Sequence, residues 1–247
     1  MSSSLADILV AVARSGERAV VFTVVEGPDA GAKLIVLLDR GETHGRDPGG
    51  LEGLAGDVRR NGLLEHEGTK VFAEVFGPPP RLVVIGAVDT SEALCKAARG
   101  IGWHTICVEP RRLFATAERM PSADEIIAEW PEEAIARIRP DRDTAVVVLT
   151  HDEKFDLPAL KAALVTEAFY IGALGSRTAQ ARRRERMVAA GVSEEIQERI
   201  VGPCGLDIGA ISPTETALSV LAEILAVRAG RGGGPLRTSA GRIHVER

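Results

Sequence analysis

Polar side chains and glycines follow two apolar runs, 145–149 and 169–173. The first run is followed by Thr150, His151, Asp152 and Asp156. The second contains and is followed by Gly172, Gly175, Ser176 and Arg177. If both runs are parallel strands joined by a helix, both clusters lie at the carboxyl edge of one sheet, where ligands bind in open α/β folds.

These two clusters point to different chemistry. His151 with Asp152 and Asp156 could form a metal site, a general acid–base pair or a loop that grips a ligand. One histidine is a poor metal site without further partners, so His151 is disfavoured as a metal ligand. The place of this cluster after an apolar strand favours a functional loop over a loop without a role. The second cluster is typical of an anion site, because its glycines allow close approach and Arg177 can pair bidentately with phosphate.

A basic helix is predicted over 179–190. The helix carries Arg182, Arg183, Arg184 and Arg186. One of its faces could extend the anion site, whereas Arg183 and Arg186 are expected on a solvated face.

A third candidate site surrounds Gly86, which ends another apolar run and precedes a predicted helix. This is the position of a dinucleotide-binding glycine turn. Val88 and Ser91 stand where further glycines belong, so phosphate binding and a turn that only packs are both open. Glu109, 23 residues later, is in the ribose-binding position and Arg111 could hold a 2′-phosphate. A surface Glu–Arg cluster is the alternative.

The glycine-hinged loop 203–210 leads directly into a helix start at Ser212. Gly205, Asp207 and Gly209 could close a pocket there, or Asp207 could be a buried structural acid. For Cys204, small-residue packing is favoured over a reactive thiol.

The elements that must position these residues fall on either side of the Gly-Pro-Pro-Pro segment at 77–80. We predict a small α+β domain over 1–77, an α/β domain over 78–228 and a flexible basic tail over 229–247. Alternating strands and helices in the second part predict a parallel sheet with helices on both faces.

Apolar periodicity predicts the individual elements. In the first part these are a helix over 5–14, strands over 19–25, 32–38 and 70–76, and a loop over 41–56. In the second part the strands are 82–85, 105–108, 145–149 and 169–173. The first helix is predicted to start at Asp89, which would cap it together with Glu92. A second is predicted over either 123–129 or 132–139. Further helices are predicted around 157–165, after Ser193 and from Ser212. The last is expected to bury Leu218, Leu221, Ala222 and Leu225.

Composition excludes several classes of protein. A formal charge of −5 and an aromatic content of 4% argue against nucleic-acid binding. With neither a membrane-length apolar run nor a leader pattern, we expect a cytoplasmic protein without a membrane span. Three cysteines without a CxxC pair support neither a disulfide framework nor structural zinc.

Six segments together resemble the XdhC/CoxI family, accessory proteins for maturation of molybdenum hydroxylases such as xanthine dehydrogenase and carbon monoxide dehydrogenase. They are VVIGAV (83–88), VEPRRLFA (108–115), VVVLTHDEKFD (146–156), FYIGALGSR (169–177), GPCGLDIGA (202–210) and SPTETALSVLAEI (212–224). The resemblance implies a Rossmann-like domain that binds the molybdenum cofactor, as molybdopterin or its dinucleotide form, and hands it to an apo-enzyme. It also implies a homodimer and a cysteine desulfurase as a further partner. Leu51 stands where the family places a cysteine.

On this interpretation the chain is a cofactor chaperone without catalytic residues. Gly172, Gly175, Ser176 and Arg177 would cradle a phosphate, with Thr150, His151 and Asp156 lining the pocket. Gly205, Asp207 and Gly209 would close it, while Gly86, Glu109 and Arg111 would hold a nucleotide portion. Two alternatives remain open: an NAD(P)-dependent oxidoreductase, and a non-catalytic nucleotide-binding module that is a degenerate paralogue.

Overall fold

A computed structural model describes residues 4–150 and 152–239. His151 and residues 240–247 of the predicted tail lie outside the described residues. The chain divides into two compact units, one made of the residues up to Pro78 and from Gly234 onward, the other of Pro79–Gly233.

The first unit is built on an antiparallel sheet. Its elements are α1 (Leu5–Ser15), β1 (Ala19–Glu26), β2 (Lys33–Leu37), β3 (Glu42–Gly45), a 3₁₀ helix (Leu51–Asp57), β4 (Gly62–His66), β5 (Thr69–Phe76) and a second 3₁₀ helix (Leu236–Thr238). The described strands are ordered β3-β2-β1-β5-β4. Alternate residues of β1 face opposite sides of the sheet. Val20 and Phe22 pack with the first 3₁₀ helix, and Val21 packs with α1.

The loop predicted over 41–56 is wrong in part. It contains β3 and the start of the first 3₁₀ helix, and β4 was not predicted. The β3 sequence Glu-Thr-His-Gly carries no apolar side chain, and it is a strand because its backbone pairs antiparallel with β2. Such pairing leaves no hydrophobic pattern in the sequence.

The second unit is built on a parallel sheet. Its elements are β6 (Arg81–Ile85), α2 (Asp89–Gly100), β7 (His104–Val108), β8 (Glu125–Ile127), α3 (Pro131–Ile138), β9 (Thr144–Val148), α4 (Glu153–Leu164), β10 (Tyr170–Ala173), α5 (Arg177–Ala189), α6 (Glu194–Gln197), β11 (Ile200–Val201) and α7 (Pro213–Arg228). The described strands are ordered β8-β7-β6-β9-β10-β11, which is the Rossmann order 3-2-1-4-5-6.

Helices cover both faces of this sheet, which confirms the predicted fold class. On one face α2 and α7 pack against Leu82 and Val84 of β6. On the other face α3, α4 and Met187 of α5 pack against Val83 and Ile85. The order places the carboxyl ends of β6 and β9 at the point where the two halves of the sheet diverge, the usual place for a ligand in this fold.

Two local predictions in this unit need correction. The first alternative for the helix before β9 is wrong, because 125–127 forms β8, and the second alternative is α3. Asp89 does not cap α2: the N-cap is Val88 without a side-chain hydrogen bond, and Glu92 accepts from the Ser122 amide at 3.1 Å.

In the described chain no helix is long and apolar enough to cross a membrane.

The final helix, α7, begins as predicted and packs differently. Ser212 and Glu215 form a capping box with Pro213 at the first helical position. The predicted buried face is wrong at Leu218 and Leu225, which are exposed. The buried side chains of α7 are Ala217, Ser219, Val220, Leu221 and Ile224.

Candidate functional site at the carboxyl edge of the parallel sheet

A small cavity lies at the carboxyl ends of β9 and β10, where α4 and α5 begin. Its volume is about 160 Å³. It is lined by Thr150, Glu153, Asp156, Leu157, Leu174, Gly175, Ala179, Arg182, Arg183 and Arg186. The structure thus brings Thr150 and Asp156 from the first predicted cluster together with Gly175 from the second.

Arg183 is the most deeply placed charge in this cavity. Its Nη2 lies 3.2 Å from Oδ2 of Asp156 and donates to the Leu174 carbonyl oxygen at 3.0 Å, while Nη1 donates to the Gln180 side chain. The side chains of Arg183 and Asp156 are only 12% and 13% exposed. The expectation that Arg183 lies on a solvated face is therefore wrong, because the face of α5 that carries it turns toward α4.

The mouth of the cavity carries the remaining charges. Arg186 pairs with Glu153 at 2.5 Å, and both side chains are well exposed. Arg182 forms no ion pair within residues 4–150 and 152–239. Three arginines face two carboxylates, so the cavity has an excess of positive charge that suits an anion.

The turn from β10 into α5 contains the glycine conformation that its sequence suggested. Gly175 has φ +133°, a conformation that side chains disfavour, and a Cβ there would lie 3.3 Å from Cβ of Ala179. Ser176 is the N-cap of α5 and accepts from the Ala179 amide at 3.2 Å. Arg177 is the first helical residue and is exposed, outside the residues that line the cavity.

Gly172 has a packing role that the sequence did not reveal. It lies buried inside β10, and a Cβ there would lie 2.6 Å from the ring of Tyr170. The Tyr170 hydroxyl donates to Glu223 at 2.5 Å. A larger residue at position 172 would therefore clash with the tyrosine ring that covers this glycine.

The same Glu223 carboxylate holds the loop 203–210, which carries the predicted site residues Gly205, Asp207 and Gly209. It accepts from the Gly205 amide at 2.8 Å, and a Cβ on Gly205 would lie 2.5 Å from Oγ of Ser219. Asp207 and Gly209 are exposed and do not line the cavity. The alternative of Asp207 as a buried structural acid is wrong.

Gly86 lies against the loop that follows β9. It has φ +103°, and a Cβ there would lie 3.1 Å from the Thr150 nitrogen. Its amide donates to the Val108 carbonyl oxygen at 2.8 Å. The β6–α2 turn is thus in tight contact with the β9–α4 loop at the point where the sheet halves diverge.

Glu109 is fully buried beside this turn, and a surface Glu–Arg cluster is excluded. Its carboxylate accepts from the Ala87 amide at 2.9 Å and from Nε and Nη2 of Arg111 at 2.7 and 2.8 Å. Burial by itself would raise the pKa of Glu109, but the hydrogen bonds from Arg111 and Ala87 outweigh it and hold the pKa below its usual value. The acid expected to bind a ribose is already paired.

A row of rings and cations next to this pair was not predicted. The Arg111 guanidinium lies over the rings of Phe114 and Phe155, 4.7 and 5.6 Å from their centroids. Lys154 lies over Trp130 at 4.9 Å, and Trp130 contacts Phe155 at 5.4 Å. The row joins three segments that are distant in the sequence, 111–114, Trp130 and 154–155, so no single spacing signals it. Its contacts orient Arg111 toward Glu109.

The remaining donors near the first cluster serve the start of α4. Thr150 Oγ1 accepts from the Asp152 amide at 2.9 Å, and Asp152 caps α4 by accepting from the Lys154 amide at 3.0 Å. Among the described residues no three His, Cys, Asp or Glu side chains are grouped as metal ligands. His151 lies outside those residues, so a metal at that position stays untested.

The cysteines are buried and free. Burial, with Glu223 nearby, raises the pKa of Cys204 to about 12, and burial raises that of Cys107 to about 12. The packing interpretation of Cys204 is thereby supported, because a thiol held in the neutral form is a poor nucleophile.

A second cavity, of about 440 Å³, belongs to the amino-terminal unit. It lies between the first 3₁₀ helix and β4 and is lined in part by Leu54, Arg60 and His66. None of the predicted site residues lies there.

The strand order and the positively charged cavity define the class of protein. It is a Rossmann-domain protein in which the Glu109 carboxylate occupies the Ala87 amide of the first glycine turn. A model of the XdhC Rossmann domain matches residues 82–224, more than half of the chain. The chain belongs to the XdhC family.

Two relatives agree with this assignment, and one solved structure shares the fold. A protein of Bacillus subtilis described as a probable xanthine dehydrogenase subunit is 31% identical over 65% of this chain and 46% of that protein. The molybdenum cofactor insertion chaperone PaoD of Escherichia coli is 41% identical over 64% of this chain and 43% of its own length. Each match spans less than half of the relative. A crystal structure described as a xanthine dehydrogenase from Bacillus halodurans shares the fold, with a TM-score of 0.65 and 22% identity over 95% of this chain and 66% of the other.

Proposed function

We propose that this chain is an accessory protein that binds the molybdenum cofactor and delivers it to an apo molybdenum hydroxylase. The observation that carries the proposal is the arginine-lined cavity at the carboxyl edge of a Rossmann sheet. The names of relatives, one an insertion chaperone and one a dehydrogenase subunit, support the same role.

The donor set fits one part of this cofactor well. The cofactor carries a phosphate or pyrophosphate, and guanidinium groups are the side chains best suited to bind phosphate bidentately. Arg182 supplies such a group, Arg183 and Arg186 add positive charge to the walls, and Gly175 lets the backbone approach. Thr150 would lie next to the bound group. The molybdenum chemistry itself belongs to the client hydroxylase, so the residues of this chain need only bind, orient and release the cofactor.

The oxidoreductase alternative has less support. A dinucleotide needs the amides of the β6–α2 turn and a free acid at the end of β7. Here Glu109 occupies the Ala87 amide and is itself paired with Arg111. We therefore favour the β9–β10 side of the edge for the ligand. The cysteine desulfurase partner, the homodimer and the cytoplasmic location stay predictions.

The test is native mass spectrometry of the protein after expression in a host that makes the cofactor, repeated in a host unable to make it. A bound pterin in the first preparation, absent from the second, is the expected result. A bound nicotinamide dinucleotide would favour the oxidoreductase. Protein without any ligand, and unable to take up added cofactor, would contradict the proposal.

A further inference from the structure

The arginine-lined cavity is too small for a whole cofactor. Its volume of about 160 Å³ is well below the roughly 300–1,000 Å³ typical of sites that enclose a complete small ligand. A site of this size is small for the complete cofactor, whereas one phosphoryl group fits. We therefore expect part of a phosphorylated ligand to lie outside the cavity mouth.

Two of the three arginines that line the cavity are already held by the protein. Arg183 is fixed by Asp156 and by the Leu174 carbonyl oxygen. Arg186 is paired with Glu153. These contacts shape the walls and reduce the charge that an incoming anion meets.

Arg182 differs from its neighbours. It lines the same cavity, is exposed, and has no carboxylate partner in the described part of the chain. Its planar guanidinium can reorient and present two parallel N–H donors to a phosphate. The Gly175 turn also lines the cavity, and the absence of a side chain there leaves the backbone accessible.

We propose that this cavity is a subsite for a single phosphoryl group and that Arg182 is its specificity-determining residue. The inference rests on the proposed function, since it names the part of the cofactor that enters the site. Two sources can supply the phosphoryl group, the phosphate monoester of molybdopterin and the pyrophosphate of its dinucleotide form. The cavity recognises the chemistry that both share.

The experiment is a titration of the full chain with inorganic phosphate at low ionic strength, followed by calorimetry and by NMR of the arginine Nε–H groups. We expect saturable binding at one site with a shifted Arg182 signal. Arg182→Gln should weaken it about tenfold or more, since a hydrogen-bonded charge is lost. Arg182→Lys should fall between the two, because it keeps the charge and loses the fork.

Arg184→Gln is the matched control. Arg184 lies on the same helix and does not line the cavity. The Arg184→Gln substitution also removes one positive charge, but from a position about 200° around the helix axis from Arg182. Unchanged phosphate affinity in this variant supports the subsite. Equal weakening in both variants, or none in Arg182→Gln, would overturn it as mere attraction to a basic helix.

Two further probes separate the sources of the phosphoryl group. Phenyl phosphate represents a monoester, and ADP-ribose represents a pyrophosphate with groups on both sides. If either probe competes with inorganic phosphate, the subsite is supported and the competing probe identifies the source of the phosphoryl group. If neither probe competes, the subsite is overturned. Pterin retention without phosphate binding would refute only this inference, and phosphate binding without pterin retention would refute only the proposed function.

Discussion

The guanidinium of Arg183 lies 3.2 Å from the carboxylate of Asp156 and ties α5 to α4 beside the cavity. Both side chains are nearly excluded from water, so their attraction is weakly screened. The same guanidinium donates to the Leu174 carbonyl oxygen, which joins the end of β10 to the pair. Arg183 is therefore a positioning residue that holds the wall of the cavity.

Replacing this residue should destabilise the fold. Arg183→Met removes an ionic partner of Asp156 and a donor to Leu174, and we expect the free energy of unfolding to fall by about 1–3 kcal/mol. Urea denaturation at pH 7 measures the change. Arg184→Met, on the same helix but away from the cavity, should stay within about 0.5 kcal/mol of the parent chain. Equal losses in the two variants would show that the buried pair contributes nothing.

The Glu109 carboxylate should make stability depend on pH in the acid range. Its pKa in the folded chain lies below the ordinary value of 4.5. Its contribution is therefore fully present above pH 4.5 and is lost as the pH falls through the folded-state pKa. Glu109→Gln should cost about 2 kcal/mol at neutral pH, a figure that allows for the partial exposure of Arg111.

The measurement is urea denaturation of both proteins at several pH values from acid to neutral. The difference in the free energy of unfolding should be constant near neutral pH and narrow below pH 4.5. A difference that is the same at all pH values would mean that the ionised form of Glu109 is not the stabilising one.

The fold was readable from the sequence because its signals are local. Buried parallel strands are continuous apolar runs, and the Ser212 capping box marks a helix start within four residues. What failed depends on distant partners. β3 is a strand only through β2, and 125–127 is a strand only through β7. Leu218 is exposed because the packing of α7 selects a different face from the one its apolar residues suggest.

The site was only partly readable for the same reason. The rule for the carboxyl edge placed Thr150, Asp156 and Gly175 correctly as neighbours of one cavity. The burial of Arg183 depends on how α5 packs on α4, which no spacing encodes. Gly172 is ambiguous in sequence, because a glycine that admits a ligand and a glycine covered by a ring look alike.

The two glycines of the β10 region should respond differently to the same substitution. Gly172→Ala forces a methyl group against the Tyr170 ring and should lower the free energy of unfolding by about 1–3 kcal/mol. It should leave phosphate affinity unchanged in the folded protein. Gly175→Ala strains the backbone at φ +133° next to the cavity and should weaken phosphate binding. Thermal melts and phosphate titrations well below the melting temperature check both. Weakened phosphate binding in Gly172→Ala, with Gly175→Ala unaffected, would reverse the two roles.

The buried thiols should be nearly inert in the native protein. With a pKa of about 12 for Cys204 and Cys107, roughly one thiol in ten thousand is ionised at about pH 8. Ellman's reagent should therefore react slowly with the folded chain and reach three thiols per chain only in denaturant. Cys204→Ala should reduce that final count by one and leave the native rate unchanged. Rapid native labelling that disappears in Cys204→Ala would instead identify an accessible thiol. Slow labelling would mean that the thiols of the folded chain are not available as nucleophiles.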